Sequence, residues 1–130
     1  MHRFALRLIA LIQITLGLAY LIAPAAFLSA MGHSPLPTDL AYPLGMLAAR
    51  FLAYGAGLWI ISKEPAQHTL WIRLMAVIQI IDFGVGCYYT LNHSISWSHS
   101  AFPMFNAAWI ALVCLYSPCT KGENAQLAQA

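Results

Sequence analysis

Four apolar stretches follow one another along this chain, at residues 4–22, 44–62, 70–91 and 101–117. Each is close to the roughly 20 residues that an α-helix needs to cross a hydrocarbon core about 30 Å thick. A membrane β-strand would need only about 10 residues and would alternate polar with apolar positions. These stretches are apolar all round, so helices are expected. Charged side chains make up 8% of the 130 residues. That is too few to coat a soluble globule, where about 25% is usual. The fold expected is all-α: an integral membrane, up-down four-helix bundle in one transmembrane domain, 1–130, with a polar cytoplasmic tail at 118–130.

The breaks between the stretches agree. Pro24, Pro35, Pro37 and Pro43 punctuate the first connection, and Lys63-Glu64-Pro65 separates the second stretch from the third. Residues 92–100 read as a polar link, and Pro118 follows the last stretch. Arg3 and Arg7 before an apolar run, with Ala23-Pro24-Ala25 behind it, also resemble a secretory leader. The run is longer than leaders usually carry, so a retained span is expected.

Arg3, Arg7, Lys63, Arg73 and Lys121 all fall at one end of the stretches. The first and third connections hold no Lys or Arg. The positive-inside rule then predicts both termini and the 63–69 link in the cytoplasm, with 23–43 and 92–100 on the far side.

An internal repeat is also present. The segments Arg7-Leu8-Ile9-Ala10-Leu11-Ile12-Gln13-Ile14 and Arg73-Leu74-Met75-Ala76-Val77-Ile78-Gln79-Ile80 are identical at six of eight positions, 66 residues apart. Apolar coincidences are cheap in such sequences, but a matching Arg and Gln are not. The second and fourth stretches share Pro43 with Pro103 and Ala48-Ala49 with Ala107-Ala108. Two parallel helix-hairpin repeats are therefore expected, with the first and third helices structurally equivalent.

The informative residues are the polar ones inside the spans, because a charge at mid-membrane costs about 2.5–3.5 kcal/mol even on insertion scales. Arg50 lies six residues in from Leu44, about 9 Å at 1.5 Å per residue, and Asp82 nine in from Leu91, about 13 Å. Similar depth predicts that they pair inside the bundle. Asn106 lies at a comparable depth, and Gln13 and Gln79 deeper. Gln79, Asp82 and Gly86 share one face of their helix; Arg50, Tyr54 and Gly57 share one face of theirs. Gln13, Gln79, Asp82, Arg50, Asn106 and Tyr54 are thus the candidate ligand-binding residues. Tyr20, Tyr88 and Tyr89 lie near this polar track. The small-residue series Ala49, Ala53 and Gly57 is expected to let helices approach closely.

No metal centre is predicted. His33, His93 and His99 gather at the non-cytoplasmic end, but their spacing matches no ligand motif. Cys87, Cys114 and Cys119 form no Cys-x-x-Cys pair, and the first lies at the opposite depth from the last; buried or inert thiols are expected. No phosphate-cradling loop, nucleophile elbow or basic nucleic-acid patch is present. Asp82 is the one carboxylate inside the spans, and a carboxylate expected to pair with Arg50 is a poor general acid or base, so the chain leans away from enzymatic chemistry.

The segments Met46-Leu47-Ala48-Ala49-Arg50-Phe51-Leu52-Ala53 and Trp71-Ile72-Arg73, continuing to Asp82-Phe83-Gly84-Val85-Gly86, carry a family likeness. An Arg early in the second helix and an acidic residue in a glycine-bearing third helix resemble the small bacterial inner-membrane proteins of the DoxX-like and BphX-like groups. That resemblance implies four helices in the inner membrane. It also implies an accessory role, since some DoxX relatives are subunits of quinone-linked oxidoreductases. The sequence lacks the membrane-embedded Glu of small multidrug transporters and the cysteine pairs of thiol-oxidising membrane proteins.

The functional expectation is an accessory or structural subunit of a larger membrane complex, in contact with the lipid bilayer and with other membrane subunits or copies of itself, and with no nucleic acid. The alternative is binding or transport of a small, partly apolar molecule at a polar site open to the non-cytoplasmic side. No cofactor is predicted; a quinone, a lipid or an aromatic compound is the kind of molecule that alternative would take.

Overall fold

The computed structural model describes residues 2–116. Among these, five α-helices follow in order: α1 His2–Ile22, α2 Pro24–Ala30, α3 Ala41–Ile61, α4 Thr69–Leu91 and α5 Trp97–Leu115. Short 3-10 turns, Thr38–Leu40 and Pro65–His68, lead into α3 and α4. There is no strand among the described residues. The stretches Arg3–Ile22, Thr38–Ile61, Pro65–Leu91 and Trp97–Leu115 are long and apolar enough to cross a membrane. The expected tail at 118–130, with Cys119 and Lys121, lies outside the described residues.

The boundaries follow local chemistry. Pro24 opens α2 at a position whose N–H has no helical acceptor, so its missing donor costs nothing there. Pro43 sits in the first turn of α3 for the same reason. Lys63, Glu64 and Pro65 separate α3 from α4, as their composition predicts. Two expectations are corrected. The first connection contains a short helix, α2. The link before the last span is shorter than 92–100, because α5 begins at Trp97. Ser96 precedes it with extended backbone, and the Ser100 hydroxyl bonds back to the Ser96 carbonyl at 3.2 Å, within the first turn.

Helices α1 and α3 pack as one hairpin, and α4 and α5 as another. The repeat is visible in what each hairpin buries. Leu6, Ile9, Ala10 and Gln13 of α1 are buried, and so are Ile72, Met75, Ala76 and Gln79, their counterparts on α4. Ala48 and Ala107 are likewise both buried, on α3 and α5. The core joins the hairpins where Leu6, Ile9 and Ala10 meet Leu58, Ile61, Ile72, Met75, Ile110 and Cys114. This core occupies the end of the bundle that carries Arg7, Lys63 and Arg73, called here the basic end. Arg7 closes it by donating to the Ser62 hydroxyl at 3.3 Å while its guanidinium lies 5.7 Å from the centre of the Trp59 ring.

The outer surface is apolar. Leu8, Leu11, Leu18, Ile60, Leu74, Val77, Ile81, Phe105 and Leu112 are all exposed along the spans. Water-soluble monomers rarely expose such an expanse, whereas lipid tails accept it. This is a multi-pass membrane protein in contact with lipid.

The helix-packing face of α3 differs from the small-residue series expected. Ala49 and Ala53 are exposed. Gly55 makes the close approach to α1: a Cβ there would stand 2.9 Å from the Ala10 carbonyl oxygen and 2.6 Å from a side-chain carbon of Ile14. Gly57 faces α4 instead, where the Trp71 ring occupies the space a Cβ would need.

A cavity at the histidine end

Above the packed core the two hairpins separate around a cavity of about 370 Å³. It lies towards the end opposite the basic one, where His33 and His99 stand. Gln13 of α1 and Gln79 of α4 reach it at its deep end, as the repeat dictates, since both sit one turn beyond the buried Ile9–Ala10 and Met75–Ala76 pairs. Asp82, Val85 and Gly86 continue the α4 wall. Pro103, Met104, Asn106 and Ala107 form the α5 wall. Leu16 and Tyr20 of α1 and Leu47 and Phe51 of α3 complete the enclosure. Phe27, Leu28 and Met31 cover it from α2 and the turn behind it.

The polar groups at the cavity are incompletely satisfied by the protein. Gln13 is only 1% exposed, yet its amide has no hydrogen-bond partner among the described residues. No fully occluded side-chain nitrogen or oxygen lacks a partner, so what remains exposed of Gln13 is its amide. Gln79 donates only to the Met75 sulfur, at a long 3.8 Å. The Asn106 carbonyl accepts from the Trp109 indole N–H at 3.2 Å, which holds the side chain and leaves its amide nitrogen free to donate. Asp82 lines the cavity, is exposed, and makes no hydrogen bond among the described residues. Buried polar groups are normally satisfied, so the two buried amides, Gln13 and Gln79, call for a partner outside the chain.

Aromatic rings make up much of the opposite wall. Tyr20 stacks on Phe51 at 5.9 Å between centroids, 17° apart, and meets Phe27 edge-on at 5.0 Å. At the rim, His99 Nε2 lies 2.8 Å from the Gly32 carbonyl and must donate to it, because a carbonyl only accepts. Its Nδ1 then accepts from the Ser96 hydroxyl at 2.5 Å when the ring is neutral. His33 packs on the same ring at 4.8 Å between centroids. Gly32 has φ +83°, a conformation glycine adopts without strain, and this brings its carbonyl to His99.

No family model, curated protein or solved structure matches the chain.

Four of the six candidate residues come together: Gln13, Gln79, Asp82 and Asn106 all line the cavity. Arg50 and Tyr54 do not. Tyr54 packs edge-on against Trp71 at 5.8 Å, beside the core. Arg50, exposed like Asp82, is not part of the cavity lining. It interacts electrostatically with Asp82, but no salt bridge within 4.0 Å joins the two among the described residues. The interior setting expected for this pair is corrected, since both residues are exposed and make no ion-pair contact within 4.0 Å, while Leu47 and Phe51 are the α3 residues that line the cavity. Of the three histidines, His33 and His99 meet, whereas His93, with φ +56°, sits in the turn after α4. No group of three metal-ligating side chains forms among the described residues. Tyr88 and Tyr89 pack against each other at 5.3 Å and are exposed.

The residues that sequence reasoning missed are Phe27, Leu28 and Met31. They belong to a connection read as proline-punctuated. The available signal was the apolar run Ala25-Ala26-Phe27-Leu28 immediately after Pro24, which is a helix start.

Proposed function

We propose that this chain is a membrane-embedded binding protein for a small, partly apolar molecule such as a quinone, a lipid or an aromatic compound. The observation that carries this reading is Gln13, almost fully buried, without a hydrogen-bond partner among the described residues, and facing a 370 Å³ cavity lined in part by aromatic rings. Ligand sites are typically apolar concavities of about 300–1,000 Å³ with a few converging polar groups. Gln13, Gln79, Asp82 and Asn106 supply those groups. The resemblance to the DoxX-like and BphX-like groups and the distribution of basic residues support a bacterial inner membrane with both termini cytoplasmic, which would open the cavity to the opposite side.

The test is extraction of the full chain in a mild detergent, native mass spectrometry, and solvent extraction of whatever copurifies. A retained small molecule is expected, and it should be lost from an Ala107→Trp variant that fills the cavity. A chain that retains nothing, and is not thermally stabilised by any quinone, lipid or aromatic compound in a screen, would overturn the reading.

An accessory role in a larger complex is a second reading, favoured by Arg50. A permanent charge exposed on a lipid-facing helix is costly, and a neighbouring subunit that meets it would relieve the cost. Copurification of a second membrane chain that is lost on Arg50→Leu supports this reading, and a chain that always migrates alone counts against it.

A further inference from the structure

We propose that the cavity selects lipophilic cations: amphipathic amines whose ammonium head lies at Asp82 and whose apolar body lies against Tyr20, Phe27 and Phe51. This rests on the binding reading above and specifies the chemistry of its ligand. The inference starts from the charges. Among the described residues Asp82 is the only formally charged side chain lining the cavity, and no Lys or Arg lines it. Arg50, the cation among the described residues that acts on Asp82, lies outside the lining. Asp82 is exposed and has no ion-pair contact within 4.0 Å among the described residues, and a bound cation would supply the contact that Arg50 does not make. An anion would meet the same carboxylate with no compensating positive group inside.

The second observation is the wall across from it. Tyr20 packs against both Phe27 of α2 and Phe51 of α3. Aromatic faces attract cations and pack well against apolar bodies. The third is the supply of acceptors. An ammonium carries donors only, and the Gln13 amide oxygen and the Asp82 carboxylate are acceptors with no protein donor among the described residues. A charge-assisted bond to Asp82 and a neutral one to Gln13 would satisfy both groups at once.

The test compares three probes with the same body: 4-phenylbutylamine, 4-phenylbutanol and 4-phenylbutyrate. Binding is measured by isothermal titration calorimetry to the full chain in nanodiscs of zwitterionic lipid, with empty nanodiscs as the blank. At pH 7 the amine should bind at least about tenfold more tightly than the alcohol, and the butyrate more weakly than either. In Asp82→Asn the amine should fall to the affinity of the alcohol, while the alcohol, which also reports folding, is unchanged. Arg50→Gln, which leaves the cavity lining intact, should tighten the amine several-fold by removing a nearby like charge. Alcohol binding equal to amine binding, or an amine preference that survives Asp82→Asn, overturns the cation proposal and leaves the binding reading standing. Preference for the butyrate overturns it as well. Failure of all three probes to bind overturns both. Should Asp82→Asn not fold, the Arg50→Gln result decides, and unchanged amine affinity there counts against the proposal.

Discussion

Two glycines and two amides show how much rests on single positions in this bundle. Gly55 lies so close to the Ala10 carbonyl oxygen and Ile14 that a methyl group forces α1 and α3 apart. Gly55→Ala should therefore destabilise the protein by about 1–3 kcal/mol, the usual cost of overpacking, read as a lower Tm in detergent. Gly84→Ala is the control. Nothing lies within 4 Å of its Cβ position, so the gain in helix propensity, up to about 1 kcal/mol, should leave Tm unchanged or raised. Gln13 and Gln79 sit at equivalent points of the repeat but differ in surroundings, since Gln79 reaches the Met75 sulfur and Gln13 has no hydrogen-bond partner among the described residues. Gln13→Leu should accordingly be neutral or stabilising in the ligand-free protein while weakening ligand binding, because it removes an amide that only a ligand satisfies. A scan of Tm with and without the retained ligand separates the two effects. The thiols give a further check. Cys114 is buried and Cys87 half-buried, so in a Cys119→Ser background a membrane-permeant maleimide should label Cys87 well before Cys114.

At the scale of elements, α2 is the part least expected and the part most open to movement. It has seven residues and none of them is buried. It is kept over the cavity by its aromatic contact with Tyr20 and by the His99 bond to the Gly32 carbonyl behind it. His99→Ala removes the tie to α5. The amides of 25–31 should then exchange with deuterium faster, by hydrogen-exchange mass spectrometry, while those of the buried 6–13 segment stay protected. Equal protection of α2 in the variant would mean that Phe27 alone holds it. Pro103 acts in the neighbouring element. It lacks an N–H inside α5, so the His99 carbonyl loses its helical donor at the level where the cavity is lined.

For the whole molecule, the basic residues and the repeat make one joint prediction. Reporter fusions or single-cysteine labels in the 63–69 link should report the same side of the membrane as the N-terminus, and labels at 92–96 the opposite side. Labels at 63–69 and 92–96 on the same side would break the hairpin topology itself. The two hairpins meet through a core confined to the basic end, so stability and binding are separated along the membrane normal. Substitutions around Leu58 and Ile72 should unfold the bundle. Substitutions around Asp82 and Asn106 should change what it holds.

The spans, their order and the hairpin repeat were legible from residue order alone, because crossing about 30 Å of hydrocarbon imposes a length and an apolar character that few other folds share. The depths of Gln13, Gln79, Asp82 and Asn106 were legible too, since rise per residue converts position into depth. The rotation of each helix about its own axis was not. In lipid the outside of a bundle is as apolar as its inside, so the pattern of hydrophobic residues does not say which face turns inward. That is why Arg50 and Asp82 read as interior and Ala49 and Ala53 as a packing face, whereas all four are exposed and the close approaches are at Gly55 and at Gly57 under Trp71. The cavity itself was decided only by tertiary structure, through the parting of two hairpins above a shared core and the folding of α2 across the gap.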